Sequence, residues 1–173
     1  RRPSGAAGIW PQQPVEQRLR PLSMRILFVC LGNICRSPTA EAVMRDLVTE
    51  AGLHDEITID SAGTGDWHIG HPPDSRAVEA GATRGLEVGG QARQVAPSDF
   101  DNFDLIVAMD RSNQADLIEL AGDDDPGIRL LREFGGDEDL DVPDPYLGAG
   151  DGFDEVVDLI DRHCRVLLDT IRQ

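Results

Sequence analysis

Short apolar runs alternate with amphipathic stretches along most of the chain. Runs rich in β-branched or other apolar residues, which are typical of buried strands, occur at 26–29, 57–61, 105–108 and 128–131. Apolar residues recur at helical spacing after each of these runs, and the longest such stripe covers 153–171. This repeated strand-then-helix order predicts an α/β fold, in which a parallel sheet lies between two layers of helices.

The segment that joins the first strand to the first helix, CLGNICRSP at 30–38, has the features of an anion site. Gly32 lets an oxyanion approach the backbone, and Asn33 tolerates a left-handed turn. Ser37 fits the N-cap of the helix, and Pro38 fits its first position. Because the N–H groups of the loop and of the helix N-terminus converge there, the pattern predicts a phosphate-binding loop after the first strand.

Cys30 and Arg36 would supply this loop with a nucleophile and a positive charge. The helix dipole, the loop amides and the guanidinium all favour the thiolate form of a cysteine at that position. Arg36 offers a planar fork that can hold two phosphate oxygens at once. An arginine at a helix N-terminus also opposes the dipole, which indicates that an anion lies between them.

The composition limits the classes of partner. The chain has 173 residues and a formal net charge of −16, and it contains no lysine. This acidity argues against a nucleic-acid partner and against anionic membranes, and no stretch is apolar enough to insert into a membrane. Cys30, Cys35 and Cys164 form no disulfide framework, so we expect a reducing, cytoplasmic location. We expect no metal site, because no histidine converges with the first two cysteines, and the third falls on the apolar stripe as core.

Residues 1–23 differ from the rest of the chain. They are rich in proline and arginine, with a single acidic residue, and they show neither hydrophobic periodicity nor a signal-peptide core. We therefore expect a disordered N-terminal extension at 1–23, followed by one folded domain at 24–173.

Two motifs that lie far apart in the chain carry a resemblance to a known family. They are VCLGNICRSP at 29–38 and Asp-Pro-Tyr at 144–146. In this combination they resemble the motifs of the low-molecular-weight protein tyrosine phosphatases. Further matches are DSAG at 60–63, Trp67, ARQ at 92–94 and Met109–Asp110. The resemblance extends from Met24 to the C-terminus, and it implies a three-layer fold of flavodoxin-like topology with four parallel strands and no cofactor.

This resemblance implies a two-step mechanism. Cys30 would attack phosphorus to form a phosphocysteine, and Arg36 with the loop amides would hold the phosphate oxygens. Asp144 would act first as general acid and then as general base. Ser37 would donate a hydrogen bond to the sulfur of Cys30. The implied substrates are phosphotyrosine-containing proteins, and the implied product is inorganic phosphate.

Other residues have supporting roles in this interpretation. By resemblance, Asn33 and Ser61 would hold the loop in shape, and Cys35 would form a disulfide with an oxidised Cys30. Asp110 fits a helix cap at the edge of the site. The substrate-binding residues that the resemblance implies are Leu31, Gly32, Asn33, Ile34, Cys35, Ser37, Trp67 and Tyr146. The aromatic members of this group would wall a slot that fits a flat ring.

Two positions depart from the family pattern. Many eukaryotic relatives carry a histidine in the loop-bracing network just before the ARQ motif, where this chain has Gly89-Gly90-Gln91. Many relatives also carry a second tyrosine where this chain has Leu147. The first departure concerns the rigidity of the loop, and the second removes an aromatic wall.

Four other functions compete with this interpretation. A phosphoarginine phosphatase of the same fold would carry threonine in place of Ile34. A thioredoxin-coupled arsenate reductase would need further cysteines in the middle of the chain, and 70–110 contains none. A phosphotyrosine-binding module would have lost the nucleophile or the acid, and a plain redox protein would leave Arg36 unexplained.

Overall fold

The computed structural model describes residues 23–122, 127–148 and 152–173, so the expected N-terminal extension lies outside the described residues except for Ser23. The described residues form four strands: β1 (Met24–Cys30), β2 (Ile57–Gly63), β3 (Leu105–Ala108) and β4 (Arg129–Leu130). They also form five α-helices and a 3₁₀ turn at Leu131–Glu133. The helices are α1 (Arg36–Glu50), α2 (Ser75–Ala82), α3 (Asp99–Asn102), α4 (Arg111–Ala121) and α5 (Gly152–Ile171). Of these helices, none is both long enough and apolar enough to cross a membrane.

The four strands form one parallel sheet in the order β2-β1-β3-β4. This confirms the predicted α/β fold, and the order is the flavodoxin-like one. β1 lies inside the sheet because its apolar run, 26–29, is fully buried and can pack against helices on both faces. β2 carries the more polar sequence ITIDSAG and forms one edge.

Side chains alternate between the two faces of the sheet and so form two apolar cores. Ile26 and Phe28 of β1 belong to the core that α1 and α5 cover. Leu27 and Val29 belong to the core on the opposite face, which α3 and α4 cover. Cys164 is fully buried in the first of these cores, as predicted. The result is the expected three-layer arrangement.

β1 and β2 extend beyond the predicted runs 26–29 and 57–61, and α1, β4 and α3 also differ from the prediction. α1 begins at Arg36 rather than at Pro38, so Ser37 is not its N-cap; Cys35 takes that position, and no side chain caps the helix. β4 covers two residues instead of 128–131, because the chain turns into the 3₁₀ segment directly afterwards. α3 was not predicted, since four residues are too few to show a helical period.

The carboxyl ends of the strands meet at one edge of the sheet, where ligands of such folds bind. Cys30, at the end of β1, pairs with Gly63 at the end of β2. Met109, just past β3, accepts a hydrogen bond from the backbone N–H of Val142 at 2.8 Å. This last contact brings the segment that leads to Asp144 to the same edge as the phosphate-binding loop.

Candidate active site

Contacts within the chain define the shape of the loop after β1. It turns at Asn33, which has a positive φ of 55°. The end of β2 supports the turn, because the N–H of Thr64 donates to the carbonyl of Cys30 at 2.9 Å. Gly63 is required at this contact, since a Cβ there would lie 2.6 Å from the carbonyl oxygen of Leu31.

The Cys30 thiol lies at the base of this loop and is almost fully buried. Its Sγ is 3.0 Å from Ser37 Oγ and accepts the backbone N–H of Asn33 at 3.3 Å. Ser37 Oγ accepts the side-chain amide of Asn33 at 2.8 Å, so its own proton can turn towards the sulfur or towards the carbonyl of Ala62. This cluster holds the Ser37 hydroxyl and explains why it does not cap α1. Two donors are thus placed to stabilise a thiolate.

Asn33 connects the phosphate-binding loop to β2. Its Nδ2 also donates to Ser61 Oγ at 3.0 Å, and its Oδ1 accepts the N–H of Arg93 at 3.0 Å. The two side chains that were expected to hold the loop, Asn33 and Ser61, are therefore in direct contact.

The same network continues to Glu41, which the sequence analysis did not identify. Ser61 Oγ donates to Glu41 Oε2 at 3.1 Å, and Arg45 Nη2 donates to Oε1 at 2.8 Å. Burial raises the pKa of Glu41, although Arg45 and Ser61 act against that shift. Gly89 and Gly90 leave a cavity of about 90 Å³ beside this carboxylate. An acidic residue among the apolar positions of α1 is the sequence signal that would have identified it.

The guanidinium of Arg36 is held by acceptors on one side. The residue is only 2 % exposed, and its Nη1 donates to Asp110 Oδ2 at 2.6 Å and to the carbonyl of Val142 at 2.9 Å. Its Nη2 lies 3.5 Å from Asp144 Oδ2. Burial by itself would lower the pKa of Arg36, but the nearby negative charges, that of Cys30 first, outweigh burial and raise it. The site therefore keeps a fixed positive charge.

The thiol, the guanidinium and the carboxylate open into one pocket of about 260 Å³. The described residues that line it are Cys30, Leu31, Gly32, Ile34, Cys35, Arg36, Trp67, His68, Asp144 and Tyr146. All of these except His68 have a site role that the resemblance implies, and His68, the neighbour of Trp67, lines the pocket beside them. The other predicted residues, which support the wall from behind, are Asn33, Ser37, Ser61 and Asp110.

A larger groove of about 510 Å³ lies away from the thiol, between α1 and the segment 85–90. Among the described residues that line it there is no cysteine. Size therefore does not identify the active site here, and we assign it to the smaller pocket, which holds the nucleophile and the cation together.

The chain matches the profile of the family described as low molecular weight phosphotyrosine protein phosphatase over residues 25–173. The chain belongs to this family. It is 47 % identical over 151 residues to the low molecular weight protein-tyrosine-phosphatase YfkJ of Bacillus subtilis, with 86 % of this chain and 96 % of that protein covered.

Solved structures of phosphatases have the same fold. A protein tyrosine phosphatase from Entamoeba histolytica superposes with a TM-score of 0.83 at 41 % identity, and the match covers 87 % of this chain and 97 % of that one. A Drosophila arginine phosphatase superposes with a TM-score of 0.81 at 36 % identity, and that match covers 87 % and 99 %.

Two aromatic residues stand at the mouth of the phosphatase pocket. Trp67 is 67 % exposed and Tyr146 is 42 % exposed. The ring of His68 meets Tyr146 edge-on with 6.0 Å between centroids, and the guanidinium of Arg76 lies 5.8 Å from the centre of the same ring. The mouth of the pocket is therefore aromatic, whereas its base is polar and charged.

Asp144 lies between the mouth and the base of the phosphatase pocket. Its Oδ1 accepts the backbone N–H of Tyr146 at 3.1 Å, while its Oδ2 faces Arg36. The side chain is about half exposed, so the carboxyl group is open both to solvent and to the pocket.

Cys35 lines the phosphatase pocket beside Cys30. Burial, followed by the negative charges of Asp74 and Cys30, raises the pKa of Cys35 to about 12. Cys35 is therefore a protonated thiol at neutral pH. Cys30 and Cys35 are both free thiols, and the disulfide between them stays a prediction.

Proposed function

We propose that the protein hydrolyses phosphotyrosine in proteins through a phosphocysteine intermediate. In this proposal Cys30 is the nucleophile, Arg36 binds the phosphate, and Asp144 is the general acid and then the general base. The pocket that these three side chains share is the observation that carries the proposal. Membership of the phosphatase family supports the same reaction.

In the first step the thiolate of Cys30 attacks phosphorus, and the P–O bond to the tyrosine ring breaks. Asp144 in its protonated form gives its proton to the departing phenolate oxygen. Arg36 and the loop N–H groups stabilise the charge on the three equatorial oxygens. Because Asp110 and Val142 accept from Nη1 of Arg36, these oxygens would meet the other N–H groups of the guanidinium, close to Asp144, whose Oδ2 lies 3.5 Å from Nη2.

In the second step water attacks the phosphorus of the phosphocysteine and gives a proton to the carboxylate of Asp144. The S–P bond breaks, Cys30 leaves as a thiolate, and inorganic phosphate is the product. The hydroxyl of Ser37, 3.0 Å from the sulfur, stabilises the leaving thiolate.

The walls of the pocket support an aryl phosphate as substrate. The thiol lies at a buried base, and Leu31 and Ile34 line the space between it and the aromatic mouth. A tyrosine ring is flat and apolar and can pack against these walls, whereas phosphoserine has no ring and its alkoxide is a poorer leaving group.

Phosphoarginine is the second candidate substrate, because the fold is shared with the Drosophila arginine phosphatase. Ile34 argues against it. An apolar side chain at this point of the wall offers no acceptor to the N–H groups of a guanidinium, and it packs well against an aromatic ring.

The test is steady-state hydrolysis of 4-nitrophenyl phosphate at mildly acidic pH by the parent, Cys30→Ser and Asp144→Asn. We expect turnover by the parent, none by Cys30→Ser, and a loss in kcat of about a hundredfold or more for Asp144→Asn. Acid quenching of the parent during turnover should trap the phosphocysteine.

Phosphopeptides of one sequence, with phosphotyrosine, phosphoarginine or phosphoserine at the same position, then rank the substrates. Faster turnover of phosphoarginine would overturn the phosphotyrosine assignment. A reduced, folded parent that binds phosphotyrosine peptides tightly without turnover would overturn the enzyme assignment in favour of a binding module.

A further inference from the structure

A buried histidine connects α5 to the segment that leads towards Asp144. His163 is 1 % exposed and lies in the middle of α5. Its Nδ1 is 2.8 Å from the carbonyl oxygen of Leu159, and its Nε2 is 3.0 Å from Asp137 Oδ2. A carbonyl and a carboxylate are both acceptors, so each ring nitrogen needs a proton to match its neighbour. Both ring nitrogens of His163 therefore face acceptor oxygens.

The loop residues Gly135 and Asp137 lie directly against the ring of His163. A Cβ at Gly135 would lie 2.6 Å from the ring of His163, so the backbone of the loop packs directly against the imidazole. Nε2 meets Asp137 without hydrogen-bond alignment, so the contact depends on charge. Either neutral tautomer would place an unprotonated ring nitrogen against an acceptor, the carbonyl oxygen of Leu159 or the carboxylate of Asp137, which is unfavourable for a buried side chain.

Asp137 is the centre of a cluster of opposite charges. Besides His163, Arg132 Nη2 lies 2.8 Å and Arg162 Nη2 lies 3.4 Å from its Oδ2. Arg132 also pairs with Asp139 at 3.3 Å. The hydrogen bond from Arg132 first, and then the charge of His163, lower the pKa of Asp137. The cluster thus contains two carboxylates, two guanidinium groups and the imidazole of His163, and the guanidinium of Arg162 is largely exposed.

Arg132 extends this cluster to the active site. Its Nη1 donates to the carbonyl of Asp141 at 2.7 Å. The next residue, Val142, accepts a hydrogen bond from Arg36 at 2.9 Å, and Asp144 follows two positions later. The segment that carries the acid is therefore held by the Asp137 cluster at one end and by the phosphate-binding arginine at the other.

We propose that His163 is a positioning residue for the acid–base steps, because as a buried cation it holds Asp137 and Arg132 in place and thereby fixes the segment that carries Asp144. The inference rests on the proposed function, in which Asp144 transfers the proton. His163 touches neither the phosphate site nor the thiol, so its loss weakens proton transfer rather than phosphate binding.

The test compares kcat/KM for phenyl phosphate and for 4-nitrophenyl phosphate, because the poorer leaving group depends more on proton donation. In Asp144→Asn the preference for 4-nitrophenyl phosphate should rise roughly tenfold or more. His163→Gln removes the charge but keeps a hydrogen-bond donor. In this variant the preference for 4-nitrophenyl phosphate should also rise, by roughly threefold or more, because Asp144 is no longer held in the correct position. The double variant should match Asp144→Asn alone, since His163 acts through Asp144.

Two further variants separate positioning from stability. Cys164→Ala, at the neighbouring position in the apolar core, should lower the unfolding temperature and leave the preference between the two substrates unchanged. Asp137→Asn removes the charge of the partner of His163 and should raise the preference for 4-nitrophenyl phosphate as His163→Gln does. If His163→Gln does not fold, Asp137→Asn takes its place in the comparison.

Nitrogen-15 NMR at neutral pH tests the charge of His163 directly. The spectrum should show both ring nitrogens of His163 protonated, by signals that are absent from His163→Gln.

An unchanged preference in both His163→Gln and Asp137→Asn, with the expected shift in Asp144→Asn, would overturn the inference and leave the proposed function intact. A neutral tautomer in the NMR spectrum would overturn it as well. If Asp144→Asn left the preference for 4-nitrophenyl phosphate unchanged, Asp144 would not be the general acid, and the inference about His163 would fail with that assignment.

Discussion

Asp110 Oδ2 lies 2.6 Å from Arg36 Nη1, and Asp110 Oδ1 accepts the backbone N–H of Asn113 at 2.7 Å. One carboxylate thus joins the phosphate-binding guanidinium to the first turn of α4, a helix of the other layer. A guanidinium that is oriented in advance loses less freedom when it binds a phosphate. The pair therefore links the packing of the fold to the electrostatics of the site.

Asp110→Asn should separate the effect of the Asp110 charge on Arg36 from the role of the side chain as the N-cap of α4. Asparagine caps helices as well as aspartate does, so the thermal midpoint should change little. The charge that faces Arg36 is lost, and we expect kcat/KM for 4-nitrophenyl phosphate to fall about tenfold. Asp110→Ala is the control that also loses the cap, and it should be less stable by about 1 kcal/mol. An unchanged kcat/KM in Asp110→Asn would show that the orientation of Arg36 does not depend on this pair.

Glu41→Gln should change how stability depends on pH. Burial raises the pKa of Glu41 in the folded protein, so its contribution to stability is complete below the ordinary carboxyl pKa and is lost as the pH rises through the folded-state value. The free energy of unfolding of the parent relative to Glu41→Gln should therefore be larger at acidic than at neutral pH.

Urea titrations at the two pH values measure this difference, with the exposed substitution Glu119→Gln as the reference for removal of one acidic group. A difference between parent and Glu41→Gln that stays constant with pH would contradict the assignment of Glu41 as a buried carboxyl group with a raised pKa.

Ile34→Thr should weaken the preference for phosphotyrosine. Ile34 lines the pocket, and threonine would shorten its apolar wall and add a hydroxyl that can accept an N–H of phosphoarginine. We expect kcat/KM to fall about tenfold for a phosphotyrosine peptide and to rise by a similar factor for the matched phosphoarginine peptide. Ile34→Val keeps an apolar wall and should keep the preference. If Ile34→Thr ranked the two peptides as the parent does, this position would not set specificity.

Iodoacetamide at neutral pH should label Cys30 and spare Cys35. The pKa of Cys35 is raised to about 12, which means that the protonated and unreactive form dominates, whereas two donors stabilise the thiolate of Cys30. Tandem mass spectrometry assigns the label, and inorganic phosphate should slow its incorporation. Both thiols should react once the protein is denatured. Fast labelling of Cys35 in native Cys30→Ser would be incompatible with this prediction.

Local patterns predicted the central parts of the fold. The run at 26–29 is apolar at every position, as is typical of a strand that helices cover on both faces of its sheet. Gly32 and Asn33 together indicate a tight turn, and the turn at Asn33 has the expected positive φ. The N-cap expected at Ser37 was wrong, because the sulfur of Cys30, 3.0 Å away, engages that hydroxyl instead.

The sequence by itself predicted most residues of the candidate site, because two short motifs resemble those of one phosphatase family and together supply a thiol, a guanidinium and a carboxyl group. Only the tertiary structure decided that Glu41 braces the loop and that His163 meets Asp137. The chain has 32 acidic residues, and no local pattern states which of them meets a given partner. The partners are chosen by how α1 and α5 pack on the sheet. Glu41 of α1 reaches Ser61, 20 residues away in the chain, only when the helix lies against β2. Asp137 likewise reaches His163 only when its loop lies beside α5.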